Sequence, residues 1–247
     1  MKGVILAAGR GSRISKQNGH GSKVLLQVED KPLIDYALRA FEEAGVSDVA
    51  VVVGHEADAV MDWVGDGARY RLDIQFIFNP DYPYGNARSV YAARPFVGRD
   101  SFLLAMADHL MAPGLLKELV AQRSDDNFIA IDRRGYGKDI DECTRVWTDS
   151  AGLVTRIGKN VTPWNGIDAG AFRLTPAIFE ALDEVIGEDG VEYELSRAIT
   201  LMIELGHPLQ ACDISGWFWQ DIDTLDDLTS VRNTLVGTAS WPNRRKA

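Results

Sequence analysis

Cysteine is scarce in this chain: Cys143 and Cys212 are the only two, too few for a disulfide framework and in keeping with a reducing compartment. No apolar run approaches the roughly 18 residues of a membrane span, and no basic segment with a long apolar run opens the chain. Direct membrane insertion is therefore not expected, and a cytoplasmic location is. Basic charge is short as well. The net charge of −10 is the wrong sign for a surface that binds nucleic acid non-specifically. The four histidines (His20, His55, His109, His207) show no metal-ligand spacing, and neither cysteine has a histidine partner in a recognisable nucleophile motif. Hydrolase chemistry of either kind lacks support. Internal repeats and low-complexity linkers are also missing.

What is present is a chain of 247 residues, 46% hydrophobic, long enough to bury a large core. Val49 to Val53, Ile74 to Phe78, Phe102 to Met106 and Phe128 to Ile131 read as buried strands. Leu33 to Ala44, Ala57 to Val64, Ala87 to Phe96 and Leu115 to Gln122 read as helices between them, the first started by Asp30 with Pro32 in its opening turn. Such alternation predicts an α/β fold, a Rossmann-like and mostly parallel sheet with helices on both faces. Thr144 to Ile157 reads as two short strands and Ile167 to Leu174 as a third. Helices follow at Pro176 to Ile186 and Tyr193 to Glu204, then a strand at Leu209 to Ile214 and a closing helix at Leu225 to Leu235. The organisation expected is one domain over residues 1–236, with a β-rich insertion at about 140–174 lying over the carboxyl ends of the strands. Residues 237–247 form a tail.

The chemistry begins at the amino terminus. Lys2-Gly3-Val4-Ile5-Leu6-Ala7-Ala8-Gly9-Arg10-Gly11-Ser12-Arg13 runs an apolar strand into small residues, two glycines and an arginine. Such a loop offers amide donors to a nucleotide and a planar cation to phosphate oxygens, unless it is simply a strand-to-loop turn. It is not a dinucleotide fingerprint, because Ile14 stands where glycine is needed. It is not a Walker loop either, because Ser22 precedes Lys23. Lys23, after the glycine-containing stretch 18–22, is placed to reach a triphosphate. Asp108, at the carboxyl end of Phe102 to Ala107, suits a metal ligand over the sheet. In Trp219-Gln220-Asp221-Ile222-Asp223-Thr224, Asp223 reads as a helix cap, leaving Asp221 as the second metal ligand. Asn79, Asn86 and Ser89 lie in a turn-rich stretch where base recognition and helix capping are both open readings. With an acidic protein and an anionic substrate, local cations and a divalent metal are required.

These residues resemble the sugar-1-phosphate nucleotidyltransferase family. Val4-Ile5-Leu6-Ala7-Ala8-Gly9-x-Gly11-x-Arg13 matches its opening signature, and Lys23 its Pro-Lys-Pro lysine, although Ser22 and Val24 replace both prolines. Gly85-Asn86-x-x-Ser89-Val90, Phe102 to His109, Glu142-x-Thr144-Arg145-Val146, Arg156-Ile157-Gly158-Lys159, Ile167 to Phe172 and Trp219 to Thr224 resemble its cytidylyltransferase branch, which acts on inositol 1-phosphate. The resemblance implies the nucleotide-diphospho-sugar transferase fold and transfer of CMP from CTP to inositol 1-phosphate, giving CDP-inositol and pyrophosphate. It implies Arg13 and Lys23 as catalytic cations and Mg²⁺ held by Asp108 and Asp221. It further implies nucleotide contacts from Leu6, Ala7, Ala8, Gly9, Gly11, Asn79, Gly85, Asn86, Ser89 and Ala107, and acceptor contacts from Lys159, Asp168 and Arg145. Phosphocholine, 2-aminoethylphosphonate or a sugar 1-phosphate are alternative acceptors; Tyr82, Tyr84, Trp147, Trp164, Trp217 and Trp219 are the aromatic candidates for a choline pocket. A non-catalytic nucleotide-binding module and a glycosyltransferase are the other classes. A membrane phosphatidyltransferase acting on the product would be a separate protein.

Overall fold

The computed structural model describes residues 1–11, 13–14, 21–124, 126–134, 140–187, 191 and 193–235. The expected tail at 237–247 and positions 18–20 of the glycine-containing stretch lie outside the described residues. The first half runs β1 (Lys2–Ala7), β2 (Gln27–Val28), β3 (Lys31–Pro32), α1 (Leu33–Ala44), β4 (Asp48–Val53), α2 (Ala57–Val64), β5 (Asp73–Phe78), α3 (Asn86–Ala92), α4 (Arg94–Val97) and β6 (Phe102–Met106). The second runs β7 (His109–Met111), α5 (Leu115–Val120), β8 (Asn127–Asp132), β9 (Arg145–Thr148), β10 (Val154–Gly158), β11 (Gly166–Leu174), α6 (Ile178–Val185), α7 (Leu195–Glu204), β12 (Leu209–Asp213), β13 (Trp219–Asp221) and α8 (Leu225–Leu235).

Nine of these strands make one sheet with the central order β10-β9-β11-β6-β1-β4-β5, and β8 and β12 attached beside β11. β5, β4, β1 and β6 are parallel neighbours, whereas β11 runs antiparallel to β6, β8 and β9. The chain thus builds outward from β1 to β4 and β5, then returns across it to β6. Ligands in open α/β sheets bind at such a reversal, outside the carboxyl ends of the strands. The Gly9 loop leaves β1 and Asp108 follows β6, so both stand at that point. The β-rich segment joins the sheet rather than covering it: β9, β10 and β11 are all members of it, and Thr144, Lys159, Asp168 and Phe172 from this segment line the cleft.

Two apolar cores cover the two sheet faces. Ile5, Val49, Val51, Leu103, Leu38 and Phe41 belong to one; Val4, Val52, Leu104, Phe172, Ile178 and Ile199 belong to the other. Strands buried on both faces explain the unbroken apolar runs, since each successive side chain meets a different core. Among the described residues no helix is long and apolar enough to cross a membrane, and no disulfide joins Cys143 to Cys212.

Most elements shift by a residue or two at their ends, and three boundaries differ for causes the backbone shows. Asp30 does not start α1: Lys31 and Pro32 pair with Gln27 and Val28, Pro32 is extended at ψ 158°, and the Leu33 amide bonds Leu26 O at 3.0 Å. The residue before a proline disfavours helical backbone, so the helix waits for Leu33. The helix expected from Ala87 to Phe96 is two, joined at Ala93, because Pro95 has no amide to continue the ladder. α7 begins at Leu195 rather than Tyr193, since Glu194 is extended at ψ 143° and Tyr193 donates its amide to Tyr84 O.

Candidate active site

A third, small core explains how residues far apart in sequence meet. Ile14, Leu33, Leu110, Ile222, Leu228 and Val231 pack together beneath α8, with Ile14, Leu110 and Ile222 fully buried. Each is a sequence neighbour of a charged group: Ile14 of Arg13, Leu110 of the Asp108-His109 pair, Ile222 of Asp223. Burying such a side chain contributes about 1.5–3 kcal/mol, so this core pins the charged groups without touching the cleft itself. β7 and β13 complete the frame. They pair antiparallel with His109 opposite Asp221, and the Ile222 amide donates to Asp108 O at 3.1 Å. Asp108 and Asp223 therefore stand at the same end of one ladder.

Lys23 lies between them. Its Nζ donates to Asp108 Oδ2 at 2.7 Å and to Asp223 Oδ1 at 2.6 Å, and its side chain is only 5% exposed. Burial opposes its charge, but the two carboxylates outweigh that and hold the ammonium above its ordinary pKa. Burial likewise opposes ionisation of Asp108, yet Lys23 and His109 keep its carboxyl well below the usual carboxylate range. Arg13 adds a second cation, 2.8 Å from Asp223 Oδ2 and 3.2 Å from Glu142 Oε2. Gly11 makes room for this cluster. Its φ is +56°, and a Cβ there would sit 2.4 Å from Cβ of Lys23.

The cluster forms the floor of a cavity of about 410 Å³. Leu6, Gly9, Gly11, Gly85 and Asn86 line it on one side, and Thr144, Lys159, Asp168, Phe172, Glu194 and Ser196, termed its far end, also line it. A second cavity adjoins it over Ala8, Gly9, Arg10, Tyr82, Pro83, Ser89 and His109, with the Arg10 guanidinium 5.4 Å from the centre of the Tyr82 ring. At the far end Lys159 Nζ is 3.1 Å from Glu194 Oε1, both side chains being about half exposed. Asp168 Oδ1 accepts from the Gly170 amide at 2.8 Å, so this carboxylate stabilises its own turn while lining the cavity.

Several expected residues are placed elsewhere. The cap of α8 is Thr224, whose amide and hydroxyl bond Asp227 at 2.8 and 2.7 Å in a reciprocal box. Asp223 is therefore not spent on capping. It lines the cavity, whereas Asp221 is not among the lining residues, and the second carboxylate moves from Asp221 to Asp223. Arg145 is turned away, bonded to Ile140 O at 3.2 Å and to the Asp141 carboxylate. Asn79 is buried; its Nδ2 donates to Ser89 Oγ at 3.0 Å and its Oδ1 accepts from the Asp81 amide. Ala7 and Ala107 are core residues, leaving only their backbone to a ligand. Asn86 Oδ1 accepts from the Leu195 amide at 2.7 Å, so it caps α7 and ties the Gly85 loop to the start of that helix. Glu194 and Ser196, at the start of α7, were not singled out as site residues, and Glu142 entered only as part of a resembling segment. Asp223 had a sequence signal: Thr224-x-x-Asp227 is a capping box complete without it.

Asp108 and Asp223 converge on a single buried cation. Asp108 Oδ2 and Asp223 Oδ1, the two oxygens that share the Lys23 ammonium, are a donor set that would suit Mg²⁺, which takes few protein oxygens and keeps substrate oxygens and water.

Comparisons with known proteins place the chain in a family. The chain is 34% identical over 243 residues to a bifunctional IPC transferase and DIPP synthase of Rubrobacter xylanophilus, covering 97% of this chain and 53% of that protein. It thus spans about half the length of that relative. It is 28% identical over 253 residues to the low-salt glycan biosynthesis nucleotidyltransferase Agl11 of Haloferax volcanii, covering 99% of this chain and 68% of the relative. The fold superposes on the inositol-1-phosphate CTP transferase from T. maritima with a TM-score of 0.83 at 21% identity, over 96% of this chain and 98% of that one. The family model for the MobA-like NTP transferase domain matches residues 3–228. The chain belongs to that family: it is a nucleotidyltransferase.

Proposed function

We propose that this nucleotidyltransferase moves CMP from CTP to inositol 1-phosphate, releasing pyrophosphate and CDP-inositol. The observation that carries the reading is one cavity with the Lys23, Arg13, Asp108 and Asp223 cluster on its floor and Lys159, Asp168 and Glu194 at its far end. An acceptor phosphate oxygen forms the new bond to the α-phosphorus, and the bond from that phosphorus to the β-phosphate oxygen breaks. No proton need be moved, so the protein's work is positioning and charge stabilisation. The Gly9–Gly11 loop offers backbone donors to the phosphates. Asp108 and Asp223 would hold Mg²⁺, which when bound supplies charge neutralisation for the triphosphate. Lys23 and Arg13 are the cations of this cluster that would meet phosphate oxygens of the triphosphate. Lys159 meets the acceptor phosphate, while Asp168 and Glu194 accept from polyol hydroxyls.

The lining of the far end favours a polyol over choline. Phe172 is its one aromatic residue among the described residues, whereas Tyr82 lines the other cavity and Tyr84, Trp147, Trp164, Trp217 and Trp219 line neither. A second reading has support from Asp168 and Glu194, two carboxylates suited to the ammonium of 2-aminoethylphosphonate. A panel of CTP, UTP and dTTP against inositol 1-phosphate, 2-aminoethylphosphonate, phosphocholine and glucose 1-phosphate, read by pyrophosphate release, separates these. The highest kcat/KM is expected for CTP with inositol 1-phosphate; no turnover with that pair rejects the proposal. CTP binding without turnover of any acceptor favours a binding module. Transfer from a ready-made nucleotide sugar, without pyrophosphate, favours a glycosyltransferase.

A further inference from the structure

Asp108 presents one carboxylate oxygen to the cleft, and its sequence neighbour holds the other. His109 Nδ1 lies 3.0 Å from Asp108 Oδ1, while Oδ2 faces Lys23. An ionised carboxylate has only acceptors, so Nδ1 carries the proton and donates. The imidazole is itself confined. It stacks on the Trp219 indole with ring centroids 6.2 Å apart and planes 9° from parallel. That indole is anchored in turn, Nε1 donating to Asp132 Oδ2 at 3.1 Å. On another side the ring meets the backbone of Gly170, where a Cβ would lie 2.5 Å from His109 Cδ2, and where φ is +72°. The bulge in the β11–β8 pairing between Asp168 and Phe172 contains this glycine, so a feature of the acceptor-side strand seats a ring of the metal-side ladder.

We propose that His109 is a positioning residue: it selects the Asp108 carboxylate rotation that turns Oδ2 toward the place Lys23 Nζ holds between Asp108 and Asp223, with Trp219, Asp132 and Gly170 as its frame. Rotation about the terminal bond of an aspartate is broad and nearly two-fold, so without a fixed donor the cation would meet a mobile ligand. The inference rests on the reading in which Asp108 and Asp223 hold a divalent cation, and adds the part of the chain that prepares one of them.

The experiment is Mn²⁺ binding to the full chain, followed by electron paramagnetic resonance with α,β-methylene-CTP present, together with far-UV circular dichroism of each variant. Asp108→Asn tests the underlying reading. His109→Asn places its amide nitrogen near the position of Nδ1; His109→Gln places it near Nε2; His109→Leu supplies neither. Loss of such an outer partner typically weakens metal affinity about 10- to 100-fold, the loss expected for His109→Leu. His109→Asn should recover to within several-fold of wild type and His109→Gln should not. If Asp108→Asn binds Mn²⁺ as wild type does, the metal reading fails and His109 loses its role with it. If Asp108→Asn loses Mn²⁺ but His109→Leu, folded, binds normally, the metal reading stands and the positioning role is overturned. Equal affinities for the Asn and Gln variants also overturn it, since mere filling of the space would then suffice.

Discussion

The two ends of the cleft are built on opposite plans. On the floor, Lys23 is 5% exposed and bridges two carboxylates, with Arg13 on one of them. At the far end, Lys159 and Glu194 are 51% and 50% exposed and share one contact. The buried Lys23 ammonium has little water to turn to if its carboxylates are removed, whereas an exposed pair such as Lys159 and Glu194 is worth about 0–1 kcal/mol. The floor is therefore held in one arrangement before substrate arrives, and the far end rearranges at little cost. A rigid centre suits a phosphoryl transfer that every substrate shares; a soft rim suits an acceptor whose shape differs from one relative to another.

Breaking the floor should have the largest effect. Lys23→Met should lower turnover by about 10²- to 10³-fold, the usual loss for one preorganised electrostatic donor. It also leaves Asp108 facing Asp223 without the ammonium, so thermal unfolding should come earlier than in wild type and be restored more by added Mg²⁺ than wild type is. A Lys23→Met protein with wild-type rates and no added response to Mg²⁺ would erase the contrast. At the far end Glu194→Gln should act on one substrate alone. The KM for the acceptor should rise about 10-fold, in keeping with loss of a hydrogen bond to a charged group, while the KM for CTP and the melting temperature stay put. A matching rise in the KM for CTP would show that the Asn86–Leu195 link transmits the change, and the two ends would not be independent.

The smallest effect is on pH dependence. Asp108 has a folded pKa below its ordinary 3.8, so its contribution to stability is complete above that value and fades as pH falls beneath it. Lys23 is raised above 10.5, so its contribution is complete below that value and fades as pH rises through the folded pKa. Urea midpoints should accordingly be flat across neutral pH and drop below about 4, with a shallower acid limb in Asp108→Asn. An acid limb unchanged in that variant would place the sensitivity in other carboxylates.

Much of this molecule was legible in its residues. α2 and α8 begin and end where the apolar spacing predicts, and β1, β4, β6 and β8 are built around apolar runs. The Gly9 loop, Lys23 and Asp108 were singled out because each follows a strand or a glycine-containing stretch. Boundaries failed where a local rule met a competing bond: Pro32 was drawn into a ladder, Pro95 split a helix, and Tyr193 was tied to Tyr84. The site failed in a different way. Arg145 and Asn79 were of the right type in the right stretch, but nearer partners took their polar atoms.

Strand and helix identity, the direction of β1, and the presence of cations in an otherwise acidic chain follow from the order of residues alone, because periodicity and charge are local properties. Whether Asp221 or Asp223 meets Lys23 does not. Both lie between the same tryptophan, Trp219, and the same helix, two residues apart. Only the pairing of β13 with β7 and the packing of Ile14, Leu110 and Ile222 decide it, and those are contacts between segments that no local pattern can bring together.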